Sequence, residues 1–316
     1  MARIEDGLFL SVGGLEQWVT IRGDDAANPA LMVVTGPGAA FSPMAPVFAP
    51  WERRFTVVQW DQPRAGATLA KNGPEPSPLT FDRLAVDGVA VAEGVCARLG
   101  VERLTLFAIS GGSVTGLKML RAAPERFSAY VGNGQVTHWR GQEALSYRIM
   151  LERAKAAGDA AAVAEIEGIG PPPWSDVAAE LVKSRYANAM TPAEQAAMAA
   201  LPMGEVRSPP AGASWVAPTP PVADPFAAAL AAYTEIRAEL QAFDAGSLGL
   251  EFPVPMVFLQ GAQDAHTPAT EVEAYAARLQ APHVRYVPIE EGGHMSSFLV
   301  ERLLALMEQH VRPLIG

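Results

Sequence analysis

Strand-like and helix-like segments alternate along most of this sequence, and this alternation restricts the possible folds more than any other feature. Short segments rich in apolar and β-branched residues occur at LFLSV, QWVTIRG, ALMVVTG, FTVVQWD, LTLFAI, AYVGNG, PMVFLQG and VRYVPIE. Several are apolar throughout, as strands buried on both faces of a parallel sheet are. The sequence therefore predicts an α/β fold with a mostly parallel central sheet flanked by helices.

Two of the intervening helical patterns have defined ends. FDRLAVDGVAVAEGVCARLG follows Thr80, whose hydroxyl is a suitable N-cap. SGGSVTGLKMLRAA follows the strand LTLFAI and stops before Pro124, which cannot continue a helix. Each pattern therefore predicts a helix that connects two strands of the sheet.

The alternation lapses between residues 134 and 249. This region contains the helical stretch EALSYRIMLERAKAAGDAAAVAEIEGIG and a proline-rich passage from Pro202 to Pro225, and the strand pattern resumes at Pro255. An insertion explains this better than an independent domain, because the strands before and after it complete one sheet. We expect a core of residues 1–133 and 250–316, with a helical cap of residues 134–249 inserted before the last two strands.

The composition limits the class of partner. The chain has 316 residues, of which 49% are hydrophobic, and this is enough to bury a sizeable core. Its 34 acidic residues outnumber its 24 lysines and arginines, so the formal net charge is −10. Such a charge repels polyanions and offers no basic stripe for phosphates. We expect no nucleic acid partner.

The N-terminal segment and the cysteine content indicate the cellular compartment. MARIEDGLFL has acidic residues where a signal peptide has basic and apolar ones. No apolar run approaches the about 20 residues that a membrane-spanning helix needs. We therefore expect a cytoplasmic protein without membrane association. The single cysteine, Cys96, allows neither an internal disulfide nor an all-cysteine metal site, and its helical context predicts a buried thiol.

The segment TLFAISGGSVTG contains two serines at a predicted turn from strand to helix. A nucleophilic serine on such a turn needs small residues two positions before and after it, because the backbones approach closely there. Ser110 meets this requirement with Ala108 and Gly112, whereas Ser113 is followed by Thr115. We expect the Ser113 side chain to serve the backbone or the packing. Ser110 is the candidate nucleophile, although an ordinary strand–helix turn would give the same pattern.

Two backbone N–H groups near this turn are candidates for an oxyanion hole. The N–H of Gly111 lies at a predicted helix N-terminus, where partial positive charge stabilises an oxyanion. A second donor is expected from the loop after an earlier strand, and VVTGPGAAF is such a loop. Either Gly36 or Gly38 could turn an N–H toward the site, and we choose Gly36.

A base and an orienting acid follow in the chain order that this type of serine requires. Asp264 comes just after one predicted strand, and His294 lies in a glycine-rich loop after the next. Of the other histidines, His266 is a candidate for a position against the catalytic residues from behind or at the rim of the site, and His138 is a candidate for the pocket at the cap junction. His283 and His310 are expected to be exposed. Ser110, Asp264 and His294 form the predicted triad.

No pattern in the sequence indicates a cofactor. Histidine, cysteine and carboxylate residues do not occur with zinc-like spacing, and neither GxGxxG nor GxxxxGK[ST] follows a strand. We expect no metal and no cofactor.

Three motifs and two loops resemble the α/β-hydrolase superfamily, and within it the proline iminopeptidase group. TGPG is similar to the family pattern HGGPG, WDQPRAGAT to DQRGxGxS, and AISGG to GxSWG, and the loops of Asp264 and His294 complete the likeness over nearly the whole chain. Departures occur as well. Thr35 replaces the first glycine of the oxyanion loop, Ala108 replaces a glycine of the turn, and Gly111 replaces the tryptophan after the nucleophile. In WDQPRAGAT, Pro63 and Arg64 replace the Arg-Gly pair, whereas Asp61 and Gln62 match and are expected to brace the loop.

The triad and the resemblance together imply the α/β-hydrolase fold and a serine hydrolase that works through an acyl-enzyme. The first hypothesis is an aminopeptidase like the proline iminopeptidases, acting on small N-terminal residues of a short peptide. The second, almost equally favoured, is an esterase or another small-molecule acyl hydrolase. A non-catalytic binding protein is the third. An aminopeptidase needs carboxylates that bind the substrate ammonium. The candidate substrate-binding residues are Gln135, His138, Glu205 and Glu235, with Glu143 and Glu239 as further cap carboxylates.

Overall fold

The computed structural model describes residues 2–75, 77–174 and 176–315. These residues form one eight-stranded sheet, in which the strands lie in the order β1-β2-β4-β3-β5-β6-β7-β8. The strands are β1 (Ile4–Val12), β2 (Leu15–Gly23), β3 (Ala30–Val34), β4 (Thr56–Trp60), β5 (Leu104–Ile109), β6 (Phe127–Asn133), β7 (Met256–Gly261) and β8 (Val284–Ile289).

The α-helices among the described residues fall into two groups. Those in the core are α1 (Ala45–Phe48), α2 (Gly66–Asn72), α3 (Phe81–Leu99), α4 (Gly112–Ala122), α11 (Ala269–Ala276) and α12 (Val300–His310). Those between β6 and β7 are α5 (Trp139–Ala156), α6 (Ala160–Ile169), α7 (Val177–Ala187), α8 (Pro192–Ala200), α9 (Met203–Arg207) and α10 (Pro225–Ala242). The predicted α/β fold with a helical insertion before the last two strands is confirmed.

Only the first two strands depart from parallel pairing. β1 pairs with β2, and β2 with β4, in antiparallel fashion, and every other neighbouring pair is parallel. In the parallel part, Val34 lies opposite Ala108 and Ile109 lies opposite Asn133. The carboxyl ends of β3, β5, β6, β7 and β8 therefore meet at one edge of the sheet, where α/β folds place their sites.

Alternate residues of the central strands pack into separate clusters on the two faces of the sheet. Met32, Leu106, Tyr130 and Phe258 belong to one cluster, which α3, α4, α10 and α11 cover. The neighbouring residues Leu31, Phe107, Val131 and Val257 belong to the other, which α1 and α12 cover. Both faces of these strands are thus buried, which is why their sequences are apolar throughout.

The helical segments between β6 and β7 form the cap. Within it, α5, α6 and α7 share a small apolar cluster, which has Met150, Ile166 and Trp174 among its buried members and also includes Ala265 of the core. In α10, Ala232, Ile236 and Leu240 join the core cluster instead. The cap is therefore joined to the core through apolar packing as well as through the chain.

Helix ends follow the sequence signals. The Thr80 hydroxyl accepts a hydrogen bond from the N–H of Arg83 at 3.1 Å and caps α3. α4 ends at Ala122, two residues before Pro124.

Cys96 lies buried on α3, and burial raises the pKa of its thiol. None of the helices within residues 2–75, 77–174 and 176–315 is long and apolar enough to cross a membrane.

Candidate active site

Ser110 lies on a sharp turn between β5 and α4. Its φ is +52°, a value rarely adopted by residues other than glycine, which indicates backbone strain at this position. Gly112 explains why the turn needs a small residue, because a Cβ there would lie 2.6 Å from the carbonyl carbon of Thr35 and would overlap the carbonyl oxygen of Val34. The turn thus holds the Ser110 side chain at the carboxyl edge of the sheet, partly exposed.

The second serine is part of the scaffold. Ser113 is fully buried, and its hydroxyl donates to the carbonyl of Ser110 at 2.6 Å and accepts the N–H of Val136 at 2.9 Å. Both hydrogen-bonding functions of the hydroxyl are thereby used. The Ser113 side chain ties the start of α4 to the segment after β6.

The structure brings Ser110, His294 and Asp264 together. The Oγ atom of Ser110 lies 2.9 Å from Nε2 of His294, and Nδ1 of His294 lies 2.9 Å from Oδ2 of Asp264. Asp264 is only 2% exposed and His294 is 9% exposed, whereas Ser110 can be reached from solvent. The hydrogen-bonded chain therefore runs from the surface of the site into the protein.

The Asp264 carboxylate is fixed by its neighbours. Its Oδ1 accepts the N–H groups of His266 and Thr267, at 2.8 and 2.9 Å. Its Oδ2 accepts the Thr267 hydroxyl at 2.7 Å and Nε2 of Gln260 at 2.9 Å, in addition to His294. Because donors surround both oxygens, the carboxylate has one orientation and His294 is held in the tautomer with a proton on Nδ1.

Gly36 and Gly111 lie side by side above the turn. A Cβ built on Gly111 would be 3.4 Å from the Cα of Gly36, so the two backbones are in contact. Gly111 is the N-cap of α4. Within the part of the chain that the structure describes, neither N–H donates a hydrogen bond to a protein group. Both donors are free for an oxygen of a bound molecule.

Asp61 and Gln62 brace the loop that carries Gly36. Gln62 donates to the carbonyl of Thr35 at 2.8 Å. Asp61 is fully buried, and burial raises the pKa of its carboxyl despite several opposing hydrogen bonds. It accepts bonds from the N–H groups of Phe41, Ser42 and Ala67 and from the Ser42 hydroxyl. This network fixes the path of the loop that carries Gly36.

Of the two positions expected for His266, behind the site or at its rim, the ring takes the first and lies directly against His294. It stacks on the ring of His294 with a centroid distance of 4.4 Å and meets Trp139 edge-on at 6.0 Å. Burial lowers the pKa of His266 well below 6.5, and the charges of Lys183 and His294 lower it further. His266 is therefore a neutral imidazole at neutral pH.

A group of charged side chains in the cap lies near His266. Lys183 is 1% exposed and pairs with Glu143 at 3.1 Å, and its ammonium lies 4.2 Å from the ring centroid of Trp139. Glu180, one turn before Lys183 on α7, accepts the hydroxyl of Tyr233 at 3.3 Å through Oε2. Its Oε1 is buried and accepts no hydrogen bond from the described residues, and burial raises the pKa of the carboxyl. We call Glu143, Glu180, Lys183 and Tyr233 the cap cluster.

Sequence reasoning named Glu143 but missed Glu180 and Lys183. In a helical sequence pattern, a buried lysine or glutamate cannot be distinguished from an exposed one. Burial of these side chains depends on how the cap helices pack against each other, and the sequence carries no signal for that packing.

The four candidate substrate-binding residues are engaged elsewhere or exposed. Gln135 is buried, with Oε1 accepting from Tyr130 and Nε2 donating to Val136. His138 is exposed and caps α5, and Glu205 is exposed on α9. Glu235 binds the N–H of Leu79 at 2.7 Å and pairs with Arg64. None of these side chains contacts Ser110, Asp264 or His294.

The donor groups near the site do not form a metal centre. Among residues 2–75, 77–174 and 176–315, no group of three or more histidine, cysteine or acidic side chains lies close enough together to hold a metal ion.

The chain is 25% identical over 317 residues to the probable aminopeptidase YbaC of Bacillus subtilis (strain 168), an alignment that covers 96% of the chain and 95% of YbaC. No protein-family model matches the chain.

Solved structures share the fold. A proline iminopeptidase-related protein from Thermus thermophilus superposes with a TM-score of 0.69 at 21% identity, over 99% of both chains. The proline iminopeptidase of Mycobacterium smegmatis superposes with a TM-score of 0.63 at 17% identity, over 98% of both chains. The esterase RhEst1 of Rhodococcus sp. ECU1013 superposes with a TM-score of 0.60 at 16% identity, over 100% of both chains. The chain has the α/β-hydrolase fold, and among proteins of that fold it resembles the proline iminopeptidase group.

Proposed function

We propose that the protein is a serine hydrolase that forms an acyl-enzyme on Ser110. The observation that carries the proposal is the unbroken hydrogen-bonded chain from the Ser110 hydroxyl through His294 to Asp264, with 2.9 Å at each step. Nucleophile, base and orienting acid are within the distances that such chemistry requires.

The geometry supports the following reaction. His294 Nε2 takes the proton of the Ser110 hydroxyl as its oxygen attacks a carbonyl carbon, and Asp264 stabilises the imidazolium that forms. The N–H groups of Gly36 and Gly111 bind the oxyanion. His294 then gives its proton to the leaving group, which departs and leaves the acyl ester. A water molecule attacks the ester by the same steps, and Ser110 regains its proton.

The cap cluster favours an aminopeptidase. A substrate ammonium needs a carboxylate acceptor in the pocket. Lys183 already neutralises Glu143, whereas Oε1 of Glu180 is buried and has no donor among the described residues. Lys183 and Arg237 are the cations whose charges act on Glu180, but neither is bound to its free Oε1. We assign Glu180 to the substrate ammonium because it is a buried cap carboxylate with an oxygen that no described residue binds.

The size of the substrate residue follows from a contact between α10 and the core. α10 approaches the oxyanion loop at Gly38 through Ala229 and Ala232. We take this close packing, two residues after the proposed oxyanion donor Gly36, to favour small N-terminal residues. The likeness to YbaC, a probable aminopeptidase of Bacillus subtilis, supports a peptide N-terminus as the substrate.

An esterase or other small-molecule acyl hydrolase is the second candidate. Gly111 favours it, because no side chain follows the nucleophile to shape a peptide pocket. An ester also needs no ammonium site, so Glu180 would then have no part in binding.

The test compares L-prolyl and L-alanyl p-nitroanilides with p-nitrophenyl acetate and butyrate. Anilide cleavage that requires a free amino group supports the aminopeptidase, and cleavage of esters alone supports the esterase. A fluorophosphonate probe should label Ser110, as located by peptide mass spectrometry. Labelling should vanish in Ser110→Ala and persist in Ser113→Ala. Hydrolysis that survives in Ser110→Ala would overturn the proposal.

A further inference from the structure

The backbone loop before His294 is held on one side by the core. Residues 290–293 connect β8 to the short 3₁₀ helix that begins at His294. Gln263, in the loop after β7, donates its Nε2 to the carbonyl of Glu290 and its N–H to the carbonyl of Gly292, both at 2.9 Å. Two alternate residues of the loop are thereby tied to the core.

The other two residues of the loop are held by the cap. Thr191 donates its hydroxyl to the carbonyl of Glu291 at 2.7 Å, and Glu194 accepts the N–H of Gly293 at 2.6 Å through Oε1. Thr191 and Glu194 form the capping box at the start of α8. The N–H of the residue directly before His294 is thus bound by a cap helix, whereas its carbonyl accepts the N–H of Ser296 in the core at 3.3 Å.

Glu194 is an acidic side chain that is almost completely buried, although capping a helix requires neither a charge nor burial. It is 1% exposed, and its other oxygen accepts the N–H of Thr191 at 2.9 Å. Among the described residues it forms no ion pair with lysine or arginine. Burying a carboxylate without a cation is costly, and the two charge-assisted hydrogen bonds to backbone N–H groups offset that cost. One of these two bonds is to Gly293.

The sequence of the loop explains why such a bond is needed. Gly292 and Gly293 have the largest backbone freedom of any residue type, so by themselves they fix His294 poorly. A Cβ on Gly293 would lie 3.1 Å from the Glu194 carboxylate, so the two are already in contact. A misplacement of about 1 Å in a catalytic group can cost about 100-fold in rate. The position of His294 therefore depends on what holds Gly293.

We propose that Glu194 is a positioning residue that couples the cap to His294. Its carboxylate holds the Gly293 N–H, and through it sets the distance between His294 and Ser110. A displacement of α8 from the core would release this bond and loosen the base. The effect of Glu194 on turnover rests on the proposed function of Ser110, His294 and Asp264. Its effect on the positions of Gly293 and His294 is independent of that function.

Glu194→Ala is the direct test, and Asp159→Ala is its matched control. Asp159 caps α6 in the same cap by accepting one backbone N–H at 2.9 Å, and it does not contact the His294 loop. In Glu194→Ala, we expect amide hydrogen exchange at Gly293 to be at least 10-fold faster. The low-field Nδ1 proton resonance of His294, assigned by its loss in His294→Ala, should broaden or shift. With the substrate that the wild type hydrolyses, kcat should fall about 10- to 100-fold with little change in KM.

Glu194→Gln keeps the shape and one carbonyl oxygen for Gly293, so it should recover part of the kcat and of the exchange protection. Asp159→Ala should leave Gly293 exchange, the His294 resonance and kcat at wild-type values. The proposal is overturned if Glu194→Ala leaves the Gly293 exchange rate and the His294 resonance unchanged. It also fails if Asp159→Ala changes them equally. A wild type that the fluorophosphonate probe does not label would refute the proposed function alone, because exchange and resonance need no substrate.

Discussion

The imidazole of His266 lies on the imidazole of His294, with ring centroids 4.4 Å apart and planes inclined by 29°. The two rings cannot both be charged at low cost at this separation. Burial first, and the charges of Lys183 and His294 next, keep the pKa of His266 well below 6.5. His266 is thus a neutral ring stacked on His294, the imidazole that becomes charged during the proposed reaction.

The low pKa of His266 predicts a pH-dependent loss of stability. The unfolded chain binds a proton at His266 near pH 6.5, whereas the folded chain resists it. The free energy of unfolding therefore loses up to about 1.4 kcal/mol per pH unit as the pH falls below about 6.5, until the folded pKa is reached. His266→Phe keeps a stacked ring but cannot bind a proton. As the pH is lowered from 7.5 to 5, the free energy of unfolding of this variant should therefore increase relative to that of the wild type. Urea unfolding at each pH measures the difference. A difference that stays constant across this range would contradict the assignment.

Asp264→Asn should leave the fold intact and abolish most turnover. An amide in place of the carboxylate would no longer stabilise the imidazolium or fix the tautomer of His294. By analogy with other triads, kcat should fall about 10⁴-fold. Thr267→Val removes one donor to the same oxygen and serves as the comparison, with a much smaller loss expected. A loss of less than 10-fold in Asp264→Asn would show that His294 does not depend on Asp264.

Glu180→Gln distinguishes the two substrate classes. A charge-assisted hydrogen bond contributes about 1.5–3 kcal/mol. For an aminoacyl anilide, kcat/KM should therefore fall about 10- to 100-fold, mainly through KM, and ester hydrolysis should be unchanged. Glu167→Gln, on the exposed surface of α6, is the control and should have no effect. An equal loss on anilides and esters would exclude an ammonium site at Glu180.

Gly112→Ala should distort the serine turn. The added methyl would overlap backbone atoms of β3 and the oxyanion loop, which are not free to move. We expect about 1–3 kcal/mol of lost stability and a larger proportional loss of kcat. Gly168→Ala is the matched control, because Gly168 also lies in a helix but has open space at its Cβ. It should be neutral or stabilise by up to about 1 kcal/mol. Equal effects in thermal unfolding would refute the crowding argument.

Local patterns predicted the core well because its constraints are local. β5 reads LTLFAI because both faces of the strand are buried, and the turn at Ser110 needs small neighbours within two residues. The order of Ser110, Asp264 and His294 follows from strand ends that meet at one edge. Each of these signals lies within a few residues of the feature that it predicts.

The cap could not be predicted to the same depth, because its important contacts join distant residues. Lys183 pairs with a residue 40 positions away, and Glu194 binds one 99 positions away. Glu235 was a candidate for substrate binding from its position in the cap, yet its carboxylate binds the N–H of Leu79, 156 positions away. Charge on a helix does not reveal which face will be covered, so these pairings need the three-dimensional arrangement.

The insertion of the cap also has a consequence for how the molecule assembles. β6 and β7 lie side by side in the sheet, although about 120 residues separate Asn133 from Met256. Bringing two strands together across a flexible segment of that length carries a large entropic cost, and pairings between distant residues slow folding. Within the insertion, α5, α6 and α7 contact one another over shorter sequence distances. The folded cap therefore shortens the flexible segment that closure between β6 and β7 must span.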